Sequence, residues 1–392
     1  EASFRSSWEI PLTRNGPQLP DRFHLHSVYK ERHMKRIIYI LLLCLAVLSA
    51  KAGQDTPVRL GIIGLTHSHV GGVLNDKNKP YVIAGIVEPD KQLAERMSKR
   101  FGFSMEIVYS TMQELYDQQH PEAVACFNAT YYHQDVVRFF APKKVHIMVE
   151  KPLATNSRQA KEMAELAFRH GIHLLTNYET TWYGSHEAAA QLIRKGEIGE
   201  IRKAIFRDGH TGPVERNTHP EMIPWIKDPV LNGGGAVMDF GCYGANLMTW
   251  LMDNRKPLSV VSAFQTIKPD QYEEVEDQAT VILTYPEAQC ILEASWNWPV
   301  NMKTSEIYGK NGYIQIPDKE TLLIRTGEKS LVQQINPVSR PAPYNNPFSY
   351  FCAVVRGSAE EDPQSSLQNN LIVMEILDAA KESAKTGKVI YL

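Results

Sequence analysis

The chain lacks the features that mark several protein classes. No run of lysine and arginine stands out among its 42 basic residues, and 44 acidic residues leave a formal net charge of -2. Proteins that bind nucleic acids usually carry a strongly basic face, so this class is excluded and no nucleic-acid partner is expected. No internal repeat or low-complexity tract interrupts the 392 residues, a length that suits two domains.

Cysteine is also scarce, with five residues in the chain. Cys44 lies in a predicted leader segment, and the other four are widely spaced: Cys126, Cys242, Cys290 and Cys352. Their spacing is typical of neither a disulfide framework nor a zinc motif. We therefore expect buried free thiols at these four positions.

The apolar run at residues 37–48 is too short to span a bilayer, which takes about 20 residues. It follows a basic segment that starts at Met34 and precedes an A-x-A sequence that ends at Ala52. These are the three parts of a secretory signal. We predict a cleaved signal peptide over 34–52, a non-native upstream extension over 1–33, and an exported mature chain without a membrane span. The location would be the periplasm if the source is a Gram-negative bacterium.

From residue 58 onward, short apolar strands alternate with helical patterns. Runs typical of buried parallel strands occur at 58–63, 81–87, 123–127, 145–149 and 172–177. Alternation of this kind predicts an α/β fold, a Rossmann-type doubly wound parallel sheet over 53–176. After residue 177 longer strand candidates follow one another with few helices between them, which predicts an α+β domain with a mostly antiparallel open sheet over 177–392.

A glycine-rich turn, G-I-I-G-L-T-H-S-H at 61–69, ends the first strand. Backbone amides at such a strand-to-helix turn can bind a pyrophosphate. Only Gly64 fits the G-x-G-x-x-G frame, because Thr66 and His69 occupy the second and third glycine positions. Glu88 ends the second strand, where a carboxylate would bind the adenosine ribose hydroxyls of NAD and repel the phosphate of NADP. The turn is either a dinucleotide site or a connection that binds nothing.

His67 and His69 also form an H-x-H pair, which could bind a metal ion. No acidic residue or cysteine lies near them in sequence to complete a site, so no metal is expected.

Two further motifs carry reactive side chains. Glu150-Lys151-Pro152 follows a buried strand and therefore lies at the carboxyl edge of the sheet, where ligands bind. Asp239 and Tyr243 follow a run of three glycines, and their i, i+4 spacing would place them on one helix face. Taken singly, each residue has a purely structural explanation. Lys151 could be a surface lysine, Asp239 a carboxylate at a helix start and Tyr243 a buried aromatic side chain.

Together these motifs resemble the signature of the glucose–fructose oxidoreductase, inositol dehydrogenase and rhizopine catabolism (GFO/IDH/MocA) family. The resemblance covers nearly all of 58–392, including a C-terminal helix that returns to the Rossmann domain. It implies an NAD(P)-dependent oxidoreductase that acts on a secondary hydroxyl of a sugar or sugar derivative. It also implies a homo-oligomer, either a dimer or a tetramer. Glu88 favours NAD over NADP, and export favours a tightly bound cofactor.

The motifs and the resemblance assign candidate site residues. The catalytic residues are Lys151, Asp239 and Tyr243, where Tyr243 would exchange the substrate proton, Lys151 would lower its pKa and Asp239 would orient both. Ten residues are expected to bind the dinucleotide: Gly64, Thr66, His67, Ser68, His69, Glu88, Asn128, His133, Glu150 and Lys151. Five are expected to contact the substrate: Tyr131, Trp182, His186, His210 and Trp225.

Export leaves two alternatives open, because a chain exported unfolded cannot carry a bound dinucleotide with it. One is a glycoside hydrolase or lyase that oxidises its sugar transiently. The other is a non-enzymatic carbohydrate-binding protein whose nucleotide site has decayed, which Thr66 and His69 in the glycine frame would explain.

Overall fold

The structure, a computed structural model, describes residues 56–77 and 79–392. The predicted signal peptide, 34–52, and the upstream extension, 1–33, lie outside the described residues. Among the helices that the structure describes, none combines the length and the apolar character needed to cross a bilayer.

The first sheet is parallel and has the order β3-β2-β1-β4-β5-β6. Its strands are β1 (Val58–Ile63), β2 (Tyr81–Val87), β3 (Val108–Tyr109), β4 (Ala123–Cys126), β5 (His146–Glu150) and β6 (Leu174–Asn177). The chain reverses its direction of winding between β1 and β4, which opens a crevice at the carboxyl ends of the strands. This sheet confirms the predicted Rossmann-type architecture.

Helices connect these strands and cover both faces of the sheet. They are α1 (Val70–Asn75), α2 (Lys91–Phe101), α3 (Met112–Gln119), α4 (His133–Phe140) and α5 (Ser157–His170). Local capping sets their limits, as in α2, where the Asp90 carboxylate accepts hydrogen bonds from two first-turn amides and Gly102 ends the helix at φ 76°. Short 3-10 turns lie at Met105–Ile107, Thr130–Tyr132, Ala141–Lys143 and Glu179–Trp182.

The second sheet has nine strands in the order β14-β13-β12-β11-β7-β10-β9-β8-β15. They are β7 (Ile201–Gly209), β8 (Ser259–Gln265), β9 (Gln278–Thr284), β10 (Gln289–Ser295), β11 (Met302–Gly309), β12 (Gly312–Asp318), β13 (Thr321–Thr326), β14 (Gln333–Ile335) and β15 (Ile390–Tyr391). All its pairs are antiparallel except β7 with β10, which are parallel. The mostly antiparallel second sheet is therefore confirmed.

The remaining helices pack on this sheet or return to the first one. They are α6 (Gly184–Arg194), α7 (Pro213–Arg216), α8 (Ile223–Ile226), α9 (Cys242–Leu251), α10 (Pro347–Val355) and α11 (Leu367–Thr386). Side chains of α10, among them Phe348 and Phe351, share an apolar core with Leu60 of β1. Helix α11 contacts α5 and β6 on one side and α9 and β8 on the other, so the C-terminal segment joins the two sheets.

The four cysteines outside the predicted leader are free and buried, as expected from their spacing. Cys126 lies on β4, Cys242 begins α9, Cys290 lies on β10 and Cys352 lies in α10. They act as small apolar side chains in the core.

Candidate functional site

A polar cavity of about 290 Å³ lies where the loops after β1, β5, β6 and β7 meet. We call it the polar cavity. Its wall includes thirteen polar or charged residues: His67, Ser68, His69, Lys151, Glu179, His210, Arg216, Thr218, His219, Asp239, Tyr243, Asn301 and Lys303. Apolar contacts come from Pro213, Met222, Ile226 and Phe240. The cavity thus collects side chains from both sheets.

Lys151 and Asp239 form a buried ion pair in this wall. The Lys151 ammonium contacts Asp239 Oδ1 and donates to the Asp239 backbone oxygen at 2.9 Å. Trp296 Nε1 donates to Asp239 Oδ2 at 2.9 Å. Burial opposes ionisation of both groups, but the pairing prevails, so the pKa of Asp239 falls to about 2 and that of Lys151 rises. Both side chains are therefore charged at neutral pH.

Asp239 and Tyr243 both reach the polar cavity, although the chain between them is not a regular α-helix. A π-helical turn, Val237–Gly241, precedes α9 and carries Asp239, while Tyr243 lies in the first turn of α9. Turns of this kind occur often at functional sites because they redirect side chains within a helix. Asp239 and Tyr243 are therefore brought together, but by a π-helical turn rather than by the regular α-helix that their spacing predicts.

Tyr243 is 2% exposed, and its surroundings reverse the expected direction of its pKa. Burial and nearby carboxylates raise the pKa of Tyr243 well above its ordinary value. Lys151 lies 5.1 Å from the centre of the Tyr243 ring and is already bonded to Asp239, so it does not lower that pKa. The hypothesis that Lys151 activates Tyr243 is therefore corrected: Tyr243 is a neutral phenol.

His69 is bonded to the glutamate of the Glu-Lys-Pro motif. His69 Nδ1 lies 2.9 Å from Glu150 Oε2, and Glu150 Oε1 accepts from Asn177 Nδ2 at 2.8 Å. Glu150 and Asn177 are register partners on β5 and β6, which explains why they meet. Although burial opposes ionisation of Glu150, its His69 and Asn177 partners contribute to a pKa lowered to about 2.

His67 completes a cluster that the sequence did not reveal. Ligand atoms of His67, His69 and Glu150 lie within 4.8 Å of one another, so the fold brings a carboxylate to the H-x-H pair from 81 residues away. However, His67 Nδ1 accepts the backbone N–H of His69 at 3.2 Å, which leaves the ring proton on Nε2. The three side chains thus form a hydrogen-bond network, in which a metal ion would have to replace existing bonds.

A second cavity, of about 560 Å³, lies at the carboxyl ends of β1, β2 and β4. We call it the glycine-loop cavity. It is lined by Ile63, Gly64, Thr66, Val87, Glu88, Pro89, Ser110, Thr111, Met112, Asn128, Ala129, Tyr132, Asp135, Val136, Trp225 and Leu231. This is the position of a dinucleotide's adenosine half in a Rossmann fold.

Close packing at Gly64 fits such a role. Gly64 has φ 82°, and a Cβ there would lie 2.8 Å from the Cβ of Asn128. The buried Asn128 Oδ1 has no hydrogen-bond partner among residues 56–77 and 79–392, so an acceptor is available beside the turn. The turn at Gly64 has no Cβ, and the neighbouring Asn128 Oδ1 has no partner among the described residues, so a nucleotide could approach the backbone and bind there.

Glu88 stands at the end of β2 as predicted, and the backbone holds its carboxylate. Oε2 accepts from the Leu65 amide and Oε1 from the Asp90 amide, each at 3.0 Å. Burial raises the pKa of this carboxyl, while the two amides oppose the rise. The carboxylate is therefore fixed in the wall of the glycine-loop cavity.

Most of the predicted dinucleotide contacts line one of the two cavities. Gly64, Thr66, Glu88 and Asn128 line the glycine-loop cavity, while His67, Ser68, His69 and Lys151 line the polar cavity. Glu150 lies behind His69. His133 lines neither, because its ring is buried and its Nδ1 lies 3.1 Å from the Leu153 oxygen.

The predicted substrate contacts are divided. His210 lines the polar cavity, and Trp225 lines the glycine-loop cavity, with its ring stacked on His67 at 6.0 Å between centres. The other three line neither cavity: Tyr131, Trp182 and His186. Trp182 donates to Asn177 Oδ1 at 3.0 Å, and His186 is buried against the Thr180 oxygen, so their polar atoms are already used.

Sequence reasoning missed Glu179 and Lys303, which form an ion pair in the polar cavity. Lys303 lies 4.2 Å from the centre of the Tyr243 ring. The two residues are 124 positions apart, and no motif surrounds either of them. Only the antiparallel pairing of β11 with β7 brings Lys303 to this place. Arg216, which ends α7, and His219, in the loop that follows, were also missed, because no motif surrounds them.

Two family models match the chain. An NAD-binding Rossmann fold of an oxidoreductase family matches residues 58–178, and a GFO/IDH/MocA C-terminal domain matches residues 186–315. These matches confirm the resemblance found in the motifs.

Individual proteins agree with the family models. A trans-1,2-dihydrobenzene-1,2-diol dehydrogenase of Xenopus laevis is 27% identical over 261 residues, 64% of this chain and 74% of that protein. An NADP(+) D-xylose 1-dehydrogenase of Haloarcula marismortui is 23% identical over 87% of this chain and 95% of its own. An inositol dehydrogenase homologue of Azotobacter vinelandii, solved with NAD+, has TM-score 0.76 at 17% identity and covers 86% of this chain and 98% of its own.

Proposed function

The chain belongs to the GFO/IDH/MocA family of oxidoreductases, and from that premise we propose an exported NAD(P)-dependent enzyme that oxidises a secondary hydroxyl of a sugar or sugar derivative. The observation that carries the proposal is the charged Lys151–Asp239 pair in a polar cavity next to the glycine-loop cavity. The sugar class is supported by the D-xylose dehydrogenase among the relatives.

The side chains of the polar cavity suit the binding of a sugar alcohol. A lysine ammonium has three N–H donors, and Lys151 uses two of them on Asp239 Oδ1 and the Asp239 backbone oxygen. One donor is left for a substrate oxygen. His210 Nδ1 accepts the Gly212 amide at 2.8 Å, so the neutral His210 ring carries its proton on Nε2 and offers a second donor. Tyr243 offers a phenolic hydroxyl.

Oxidation of a secondary alcohol removes a proton from oxygen and a hydride from carbon, and a bound nicotinamide supplies the hydride acceptor. Residues that would hold the dinucleotide are Gly64, Thr66, Glu88 and Asn128 at the adenosine end and Lys151 at the other. The buried Glu88 carboxylate favours NAD, because it would repel the additional phosphate of NADP.

Export is proposed from the sequence of residues 34–52 alone. It would place the enzyme where free dinucleotide is scarce, and a tightly held cofactor that is recycled between two substrates would meet this condition. N-terminal sequencing of the secreted protein checks the proposal. We expect a mature chain that begins near Gly53, and a chain that begins near Glu1 would contradict it.

We also propose a homo-oligomer formed through the outer face of the second sheet. Ile205, Ile291 and Ile282 are register neighbours on β7, β10 and β9, and each is only half-buried. Three adjacent isoleucines form an apolar strip that a second copy could cover. Sedimentation should show a dimer or tetramer that Ile291→Glu dissociates, whereas a monomeric wild type would refute this interface.

The decisive experiment is to identify what the folded protein binds. We expect NAD(H) among the small molecules released on denaturation, detected by absorbance and mass, and NADH formation with a subset of tested sugars. Lys151→Met should still bind dinucleotide through the residues at the adenosine end, but form NADH about 10³-fold more slowly. If no dinucleotide binds but a carbohydrate does, the chain is a carbohydrate-binding protein instead. If aglycone is released without net NADH, it is a redox-assisted glycoside hydrolase or lyase.

A further inference from the structure

Of the histidine rings that line the polar cavity, two are fixed as hydrogen-bond donors. The Nδ1 atoms of His67 and His210 accept backbone N–H groups, from His69 at 3.2 Å and Gly212 at 2.8 Å. A neutral imidazole that accepts at one nitrogen carries its proton on the other. Burial keeps both rings neutral, with the pKa of His67 near 3 and that of His210 near 4. Neither ring presents a basic nitrogen to the cavity.

The His69 ring has the opposite proton arrangement to His67 and His210. Its Nδ1 lies 2.9 Å from Glu150 Oε2, and an ionised carboxylate can only accept, so Nδ1 must donate. Nε2 of the neutral ring then keeps its lone pair. Within the described part of the chain no group bonds to Nε2, and the side chain is 34% exposed on the cavity wall. His69 therefore offers a basic nitrogen to whatever occupies the cavity.

Glu150 is held rigidly enough to keep His69 in this orientation. It is 2% exposed, and its second oxygen accepts from Asn177, whose position is set by the pairing of β5 with β6. A buried carboxylate that accepts a hydrogen bond from Nδ1–H orients an imidazole and stabilises its protonated form. This is the arrangement of a general base with its orienting partner.

Other charged groups also face His69. Glu179, which pairs with Lys303, and the Lys151–Asp239 pair line the same cavity. His219 lines it as well, and His67 contacts His69 edge to face with 4.7 Å between ring centres. Arg216 also lines the cavity, and Glu179 interacts electrostatically with His69. Glu150 is the carboxylate in hydrogen-bond contact with the His69 ring.

Tyr243 is the alternative base, and its environment argues against that role. Its ring packs against Tyr178 and Phe240, and burial keeps the phenol protonated. The nearest ammonium groups, on Lys151 and Lys303, lie over the ring face at 5.1 and 4.2 Å from its centre. Each is paired with a carboxylate, and among the described residues no lysine donates a hydrogen bond to the Tyr243 hydroxyl.

We propose that His69, oriented by Glu150, is the group that exchanges the substrate proton, while Tyr243 acts as a neutral hydrogen-bonding partner of the substrate oxygen. This inference rests on the proposed function. In the oxidation direction the substrate O–H bond breaks, its proton moves to His69 Nε2, and the C=O bond forms as the C–H bond breaks. A bound nicotinamide would accept the hydride from that C–H bond. The reverse reaction returns the proton from Nε2.

The proposal explains why the glycine frame is altered. His69 occupies the third glycine position, where a side chain would otherwise be an obstacle. Here the side chain reaches the carboxylate of the Glu-Lys-Pro motif and projects the base into the polar cavity. The departure from glycine is then part of the catalytic apparatus rather than a sign of decay.

The first test is the tautomer of the ring, measured by NMR on the folded protein without added substrate or dinucleotide. His69→Gln assigns the His69 signals. We expect the neutral wild-type ring to carry its proton on Nδ1, and Glu150→Gln to shift it toward the Nε2–H form, because the single amide oxygen would accept from Asn177. A wild-type ring protonated on Nε2, or a tautomer that Glu150→Gln leaves unchanged, would overturn the proposal.

The second test separates catalysis from binding. His69→Gln should lower kcat by about 10²- to 10⁴-fold and remove the acid limb of the pH profile, while NADH affinity changes less than about threefold. Tyr243→Phe should lose less than about tenfold. His173→Gln, which breaks an exposed histidine–glutamate pair of 2.6 Å, is the matched control and should keep wild-type activity.

The possible failures can be told apart. If the wild-type protein binds no dinucleotide and oxidises no sugar, the proposed function is wrong. If the wild type is active and His69→Gln keeps its kcat while Tyr243→Phe loses it, Tyr243 is the base. If His69→Gln loses activity and NADH affinity in the same proportion, His69 binds the cofactor. Either of the last two results refutes this inference alone.

Discussion

The polar cavity and the glycine-loop cavity lie side by side, but different interactions hold their walls in place. Backbone groups shape the glycine-loop cavity, where Gly64 packs on Asn128 and two amides hold the Glu88 carboxylate. Side-chain pairs shape the polar cavity, where Lys151–Asp239, Lys303–Glu179 and His69–Glu150 each join distant parts of the chain. Under the proposed function, cofactor binding would depend on the backbone path and the reaction on paired side chains.

The largest effect is expected from breaking the central pair of the polar cavity. Lys151→Met removes a donor to substrate and leaves the Asp239 carboxylate buried without its partner. We expect kcat to fall by about 10³-fold and the free energy of unfolding by about 3 kcal/mol. Steady-state kinetics and denaturant unfolding measure the two effects.

The matched control is Lys161→Met, because Lys161 pairs with Glu375 at 2.8 Å but is 56% exposed. That variant should lose less than about 1 kcal/mol and keep its activity. Equal losses in the two lysine variants would show that the buried pair has no special role.

The glycine-loop cavity should instead be sensitive to a single methyl group added at Gly64. Gly64→Ala combines a left-handed φ of 82° with a Cβ only 2.8 Å from that of Asn128. Gly102→Ala shares the left-handed φ, at 76°, but meets nothing within 4 Å. We expect Gly64→Ala to lose about 1–3 kcal/mol more stability than Gly102→Ala, and at least about tenfold in NADH affinity. Similar affinities in both variants would mean that the turn does not contact the dinucleotide.

Low pH should protonate side chains of the polar cavity rather than of the glycine-loop cavity, because histidines line only the first of these two. Burial lowers the pKa of His67 to about 3, below the ordinary value that it has in the unfolded chain. The unfolded chain therefore binds more protons below about pH 6.5, and the free energy of unfolding falls as pH falls. Between pH 7 and pH 5 we expect His67 to account for about 1–2 kcal/mol of that fall. Urea unfolding of His67→Gln should show a correspondingly flatter pH dependence, and an unchanged slope would contradict the assignment.

The smallest effect concerns the choice between NAD and NADP in the glycine-loop cavity. Glu88→Gln removes the charge but keeps the shape, and should raise the affinity for NADP relative to NAD by about tenfold, or about 1.4 kcal/mol. Asp117→Asn, on an exposed face of α3, removes the same charge elsewhere in the domain and should change neither affinity. If both variants change the ratio equally, net charge rather than Glu88 sets the preference.

Much of the fold and part of the site could be predicted from the sequence by itself. Runs of apolar residues such as 58–63 and 81–87 indicate buried strands because local periodicity reflects burial. Gly64, Glu88, Lys151 and Asp239 could be found because each stands at a strand end or in a short motif. Such features depend on neighbours in sequence, so they can be recognised without knowledge of the tertiary structure.

Only the tertiary structure decided which of these side chains meet. Glu150 reaches His69 across 81 residues and Lys303 reaches Glu179 across 124, because parallel and antiparallel strand pairing sets those neighbours. It also decided that Tyr243 is a protonated phenol and that His186 and Trp182 lie away from both cavities. The ionisation and accessibility of a side chain depend on its burial, and burial is determined by the tertiary packing of the chain rather than by any sequence motif.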